Sequence, residues 1–371
     1  MDNLRYSKSV HEKPVVVWNS TQRCNLHCMH CYSNSENKLY PNELTTEQAK
    51  AMVLDLSTFG VPVLLFSGGE PLLRHDLFEV ADLATSRGIR AVLSTNGTLI
   101  TQETAQKLKT AGFSYVGVSI DGTEETNNKF RGSPNAFKAA IDGIRNCKTA
   151  GVKPGLRFTV TKYNYPDLQG IFELIEREHI PRVCFYHLAY AGRGSTIANN
   201  DLTTEQTRHF MDIVLLKAEE FKQKGINTEI LTVDNHADAA YLYLKLQKKN
   251  PAQAQTVLEL LKLNGGNSSG KGIGCVDAQG NVHPDQFWRH YTIGNILEQR
   301  FSEIWTNNNQ PMLKTLRNRK THLTGRCNIC HFLEVCNGNL RVRAEAVHGK
   351  IWAPDPACYL TQTEISGSEQ P

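Results

Sequence analysis

Two groups of cysteines carry the clearest chemistry in this chain. The first is Cys24-Asn-Leu-His-Cys28-Met-His-Cys31-Tyr32, a C-x3-C-x2-C loop. The second is Cys327-x2-Cys330-x5-Cys336, followed 22 residues later by Cys358. Together they hold seven of the ten cysteines; Cys147, Cys184 and Cys275 lie apart. Disulfides are rare in a reducing compartment, so clustered cysteines read first as metal ligands. Three thiolates in one loop can hold three irons of a four-iron cube and leave the fourth iron open for reaction. Zinc is the alternative, with His27 or His30 as its fourth ligand. The four thiolates of the second group suit either a fully ligated iron–sulfur cluster or a structural zinc. Cys147 falls in a helical pattern and Cys184 in an apolar strand, so both read as core.

The elements that position the first loop follow from the apolar pattern. Short runs at Val15–Trp18, Val63–Phe66, Ala91–Ser94, Val116–Ile120, Leu156–Val160 and Val183–Leu188 are nearly continuous, as in parallel strands buried on both faces. Helical patterns lie between them. Thr45 with Gln48, and Thr203 with Gln206, read as capping boxes. Six strands, each followed by a helix, imply an α/β fold, a (β/α)6 partial barrel spanning residues 14–233. Chemistry in such barrels sits at the C-terminal ends of the strands. Residues 234–271 read as a helical connector ending in the flexible NGGNSSGK boundary, 272–360 as a cysteine-bearing domain, and 361–371 as a disordered tail.

The cysteine loop after strand one resembles the signature of the radical S-adenosylmethionine (SAM) superfamily. Further motifs fall in register. Ser67-Gly68-Gly69-Glu70-Pro71 after strand two resembles that family's GGE motif; Ser94-Thr95-Asn96-Gly97 ends strand three and Ser119-Ile120-Asp121-Gly122 ends strand four. The resemblance implies a [4Fe-4S] cluster on Cys24, Cys28 and Cys31, whose open iron is chelated by SAM and whose electron cleaves it to methionine and a 5′-deoxyadenosyl radical. It implies that Ser67, Gly68, Gly69 and Glu70 meet the SAM amino group and Asn96 lies beside them. Ser119 and Asp121 would meet the ribose, and Arg157 and Thr159 the carboxylate.

The second group resembles the distal cluster of SPASM domains. It implies a second [4Fe-4S] cluster on Cys327, Cys330, Cys336 and Cys358. Cys275 sits where a proximal cluster would begin, but Asp285 and Leu340 stand where further cysteines are needed, so that cluster is expected to be absent or incomplete.

Longer segments, VVVWNSTQRCNLHCMHCY, RVCFYHLAYAGRGS, HPDQFWRHYTIGNI and RVRAEAVHGKIWAPDPACYL among them, resemble the 12,18-didecarboxysiroheme deacetylase family of the alternative haem pathway and its relatives in heme d1 synthesis. The implied carbon–carbon bond cleavage removes two acetate side chains from 12,18-didecarboxysiroheme, giving Fe-coproporphyrin III. The d1 relatives remove propionates, and a peptide-modifying SPASM enzyme is the more distant alternative. An iron tetrapyrrole needs an apolar slot, cations for its carboxylates and an axial ligand. His187, His236, His283 and His290 are candidate ligands, Arg157, Arg193 and Arg289 candidate cations, and Phe287, Trp288 and Tyr190 candidate stacking partners. An electron donor of flavodoxin or ferredoxin type is implied.

Composition excludes other classes. The net charge of +4 is spread along 371 residues, without the basic stripe of a nucleic-acid binder. No run reaches the ~20 apolar residues of a membrane span. Met1–Lys13 is polar and lacks a signal-peptide core, so a cytoplasmic location is expected.

Overall fold

The computed structural model describes residues 13–367. The expectations for 1–12 and 368–371 lie outside the described residues. Each apolar run of the first half forms a strand: β1 Val15–Asn19, β2 Val63–Ser67, β3 Arg90–Thr95, β4 Tyr115–Ser119, β5 Pro154–Val160 and β6 Arg182–His187. All pair in parallel in chain order. The helices between them are α1 Thr46–Phe59, α2 Leu77–Ser86, α3 Gln102–Thr110, α4 Glu124–Arg131, α5 Ala136–Thr149 and α6 Leu168–Arg177. Both expected capping boxes form, at Thr45 before α1 and at Thr203.

The sheet is wider than six strands. After α7 Arg193–Thr196 and α8 Thr204–Gln223, β7 Glu229–Val233 pairs in parallel with β6. After α9 Ala237–Lys249 and α10 Pro251–Asn264, β8 Ile273–Val276 pairs in parallel with β1 on the opposite edge. β9 Asn281–His283 and β10 Gly294–Asn295 continue antiparallel. The resulting order is β10-β9-β8-β1-β2-β3-β4-β5-β6-β7. β7 escaped the apolar reading because every one of its residues is only half-buried. The remaining helices, α11 Phe301–Thr306, α12 Pro311–Arg317, α13 Leu333–Cys336, α14 Arg341–His348 and α15 Gln362–Ser366, build the cysteine-bearing C-terminal part.

Two boundary expectations change. The glycine- and serine-rich stretch at 264–271 is packed: Asn267 and Ser269 are buried, and the Arg319 guanidinium donates to the Asn267 side chain and the Ser269 carbonyl. The sheet runs across it. The expected tail begins as α15, capped by Thr361 and Glu364, and Glu364 accepts two 2.9 Å bonds from Arg208 on α8.

The core lies between sheet and helices. Leu64, Phe66, Leu93, Val116, Phe158 and Phe185 are fully buried against Leu56, Val80, Ile144 and Ile171. Each such side chain contributes about 1.5–3 kcal/mol by leaving water. Cys147 and Cys184 belong to this interior.

Candidate active site and second thiol cavity

A parallel sheet delivers the C-terminal ends of its strands to one rim, and a chamber opens there. Cys24, Cys28 and Cys31 line it, with Ser67 ending β2, Gly68 and Gly69 after it, Asn96 after β3, Ser119 on β4, and Arg157 and Thr159 on β5. The cysteine loop is held from three sides. From β2, the Gly69 N–H donates to the Thr21 carbonyl at 2.6 Å and the Glu70 N–H to that of Arg23 at 2.8 Å. A Cβ on Gly69 would stand 2.1 Å from the Arg23 oxygen, so only glycine permits this approach. From β6, Gly192 (φ 55°) presses against the Cys31 carbonyl, and Arg193 donates to the carbonyls of Cys28 (2.8 Å) and Ser35 (3.1 Å). From the C-terminal part, Arg289 donates to the Ser33 carbonyl at 2.9 Å.

The three thiols differ in their surroundings. Burial pushes Cys24 up to about 12 and also raises Cys28, although the Arg131 guanidinium lies 3.6 Å from the Cys28 sulfur. Burial also pushes Cys31 upward, but the Ser33 hydroxyl, the Ser35 N–H and Arg193 together outweigh it and hold Cys31 below the usual thiol range. Loading with metal would release the protons that burial retains.

Two expected SAM contacts do not face the chamber. Glu70 is fully buried and accepts from the Thr95 hydroxyl (2.7 Å) and the N–H groups of Asn96 (2.8 Å) and Leu72 (3.2 Å), clamping β2 to β3. Its burial pushes its carboxyl up to about 7. Asp121 is likewise inside. It accepts from the Thr159 N–H at 2.6 Å and pairs with Arg131, the residue beside the Cys28 sulfur. Asp121 and Glu70 therefore act on the site through other residues. Arg131 went unnoticed in the sequence, where no spacing ties it to Cys28.

The substrate candidates separate. His187 lines the chamber, but its Nε2 is engaged by Asp238 at 2.9 Å. His283 is buried between Asp277 and the Tyr291 carbonyl and cannot reach a ligand. His236 lines neither the chamber nor the groove beside it. Trp288 is fully buried and donates to Glu345 at 2.8 Å, so it has no free face for stacking. Arg193 is committed to the cysteine loop. Tyr190, Phe287, Arg289 and His290 line a wider groove beside the chamber; His290 is exposed, with Nε2 3.0 Å from Glu345. Tyr32, Ser33 and Phe287 wall both spaces, so groove and chamber adjoin.

Cys327, Cys330, Cys336 and Cys358 border one small separate cavity. Burial raises all four thiols, while backbone N–H groups of Asp355, Phe332 and Leu360 reach toward Cys327, Cys330 and Cys358. Among the described residues, no group of three or more His, Cys, Asp and Glu side chains is placed to hold a single metal ion. Cys275 is remote from this cavity, buried on β8 beside Asn19. Asp285 accepts from the N–H groups of Phe287 and Trp288 and from the Ser269 hydroxyl, and Leu340 packs with Trp288.

Comparison with known proteins agrees in both halves. Residues 18–175 match the radical SAM superfamily and residues 269–331 an iron-sulfur cluster-binding domain of SPASM type. The chain is 56% identical to an Fe-coproporphyrin III synthase of Methanosarcina barkeri, over 98% of this chain and 91% of that one. It is 45% identical to a pre-heme d1 synthase of Dinoroseobacter shibae, over 95% and 87%. Its fold matches SuiB of Streptococcus suis, solved bound to S-adenosylmethionine, with a TM-score of 0.72 at 17% identity, covering 94% of this chain and 78% of that one. Among the described residues no helix is long and apolar enough to cross a membrane.

Proposed function

Because the chain belongs to the radical SAM superfamily, in the branch of the Fe-coproporphyrin III and pre-heme d1 synthases, we propose that it removes two acetate side chains from 12,18-didecarboxysiroheme to give Fe-coproporphyrin III. The observation that carries this reading is 56% identity over 98% of the chain. Its cofactors are [4Fe-4S] clusters and SAM.

In this reading Cys24, Cys28 and Cys31 hold the reactive cluster. Cys327, Cys330, Cys336 and Cys358 hold a second one that passes electrons. When bound, cluster and SAM supply a radical that takes hydrogen from the substrate. The chain's residues orient that chemistry. Ser67, Gly68, Gly69 and Asn96, at the ends of β2 and β3, offer polar and backbone groups to the chamber, and Ser119, Arg157 and Thr159 do so from β4 and β5. Arg157, stacked 4.4 Å over the Tyr186 ring, is a fixed cation for the SAM carboxylate. The tetrapyrrole lies in the adjoining groove, with Phe287 against the macrocycle, Arg289 on a carboxylate and His290 toward the iron. Electrons come from a flavodoxin- or ferredoxin-type donor, and the enzyme works in the cytoplasm.

Anaerobic incubation with SAM, reductant and 12,18-didecarboxysiroheme tests the proposal: two acetates and Fe-coproporphyrin III are expected by mass. Release of propionate-derived fragments would transfer the chain to the pre-heme d1 reaction, which the 45% identity to that synthase keeps as the second reading.

A further inference from the structure

Asp234 follows β7 and stands in the chamber wall. Its φ of 66° is in the left-handed region that few non-glycine residues adopt. The conformation is held in place: the Asp234 carbonyl accepts from Arg343 at 2.5 Å, and Arg343 is paired with Asp355 in the fully buried interior. The carboxyl itself takes no hydrogen bond from the described residues. Arg157 on β5, Tyr186 and His187 on β6, Arg343 on α14 and Asp285 after β9 are the charged or titratable groups around it. An ionisable group fixed in a reaction chamber and left unbonded by its own protein is free to exchange a proton with a ligand.

The proposed reaction has a place for that proton. Loss of one acetate arm begins when a hydrogen atom leaves the neighbouring ring carbon for the SAM-derived radical, giving 5′-deoxyadenosine. The bond from ring carbon to the arm's CH2 then breaks. One of its electrons completes the new ring double bond, and the other leaves on a carboxymethyl radical. To depart as acetate that fragment takes up one electron and one proton. The electron comes from a one-electron iron–sulfur or flavin reductant, which the reaction already requires to cleave SAM; the proton needs an acid inside the chamber.

We propose that Asp234 is the catalytic acid that protonates the departing carboxymethyl fragment, an inference that rests on the acetate-removing reading. The other titratable groups are placed differently. Glu70 and Asp121 do not line the chamber and are bonded to Thr95 and Thr159. His187 is engaged by Asp238, the Tyr32 hydroxyl donates to Asn19, Tyr186 lies under the Arg157 guanidinium, and His30 is stacked on Phe130 between Cys28 and Cys31. Burial pushes the Asp234 carboxyl up to about 6, outweighing the opposing pull of Arg343 and Arg157, so it holds its proton far closer to neutrality than an exposed aspartate. After transfer, the two arginines stabilise the carboxylate left behind.

The test uses the reconstituted enzyme with SAM, reductant and 12,18-didecarboxysiroheme, and counts 5′-deoxyadenosine, acetate and Fe-coproporphyrin III. D234N should keep its iron content and SAM binding and still form 5′-deoxyadenosine. Product per 5′-deoxyadenosine should fall by about 100-fold, the usual scale of a general acid; D234E should recover part of it. In the wild type this ratio should decline as pH rises through about 6, because the acid form of Asp234 is then lost. In D234N it should be flat. A D234N that couples as well as wild type, or a wild-type ratio indifferent to pH, overturns the proposal. Should D234N lose its iron–sulfur absorption, D234E and the wild-type pH profile decide: D234E should couple less well than wild type and lose coupling as pH rises in the same direction, and a D234E ratio indifferent to pH overturns the proposal. A wild type that makes 5′-deoxyadenosine but no Fe-coproporphyrin III instead overturns the substrate reading.

Discussion

Arg193 and Cys28 are 165 residues apart, yet the Nε of Arg193 donates to the Cys28 carbonyl at 2.8 Å. A second bond, to Ser35 at 3.1 Å, makes this arginine a strap across the cysteine loop. Hydrogen bonds to a charged donor contribute about 1.5–3 kcal/mol each. R193A should therefore lower the melting temperature and reduce iron bound at Cys24, Cys28 and Cys31, leaving the second thiol cavity loaded. R193K should restore little, because one ammonium cannot reproduce the fork. Iron content and cluster EPR of the purified variants check this; full loading of R193A would show that the strap is dispensable.

Alanine at Cys24, Cys28 or Cys31 should abolish 5′-deoxyadenosine formation. The second group borders a cavity of its own, so its cluster should persist. Iron should fall to roughly half of the eight per chain that two four-iron clusters imply. Normal SAM cleavage in any of the three would remove the assignment.

Anaerobically reconstituted protein should carry roughly eight irons and little zinc. C275A should leave that figure nearly unchanged, because Cys275 is buried beside Asn19 and Asp285 and Leu340 are otherwise occupied. A stoichiometric zinc at Cys327, Cys330, Cys336 and Cys358 that resists reconstitution would make the second site structural.

Asp121 and Arg131 form a buried pair next to the Cys28 sulfur. Removing one partner leaves the other charge uncompensated, which costs about 3–5 kcal/mol. D121N should destabilise the protein on that scale in denaturant titration, and should weaken SAM binding because the Thr159 N–H loses a charged acceptor. A stable D121N with selectively lost SAM affinity would instead restore Asp121 as a direct ligand contact.

Strand positions were legible because β1 to β6 are short apolar runs whose register needs no partner to be recognised. β7 was not: Glu229-Ile-Leu-Thr-Val is half-buried throughout and resembles many surface segments. The cysteines, glycines and Arg157 were legible as a site because successive strands deliver them to one rim. Side-chain direction was not. Asp121, Glu70, Arg193 and His283 all lie at the right ends of the right elements, but their partners are Arg131, Thr95, Cys28 and Asp277, and sequence spacing does not record which way a polar group turns. Asp234 went unremarked for the related reason that its placement depends on Arg343, 109 residues later.

The pairing of β8 with β1 sets an order in time. Val15–Trp18 leads into the cysteine loop, yet its outer edge finds its partner only at Ile273–Val276. At synthesis rates of about 5–20 residues per second, that edge waits on the order of ten seconds to a minute. An unpaired strand edge is a template for association with other chains. The nascent protein thus passes through an interval in which its most reactive segment is its least protected, and cluster insertion before release of the C-terminal part would take place on an unfinished sheet. The same bond ladder means that cleavage within 264–271 should leave two fragments that migrate together until denatured.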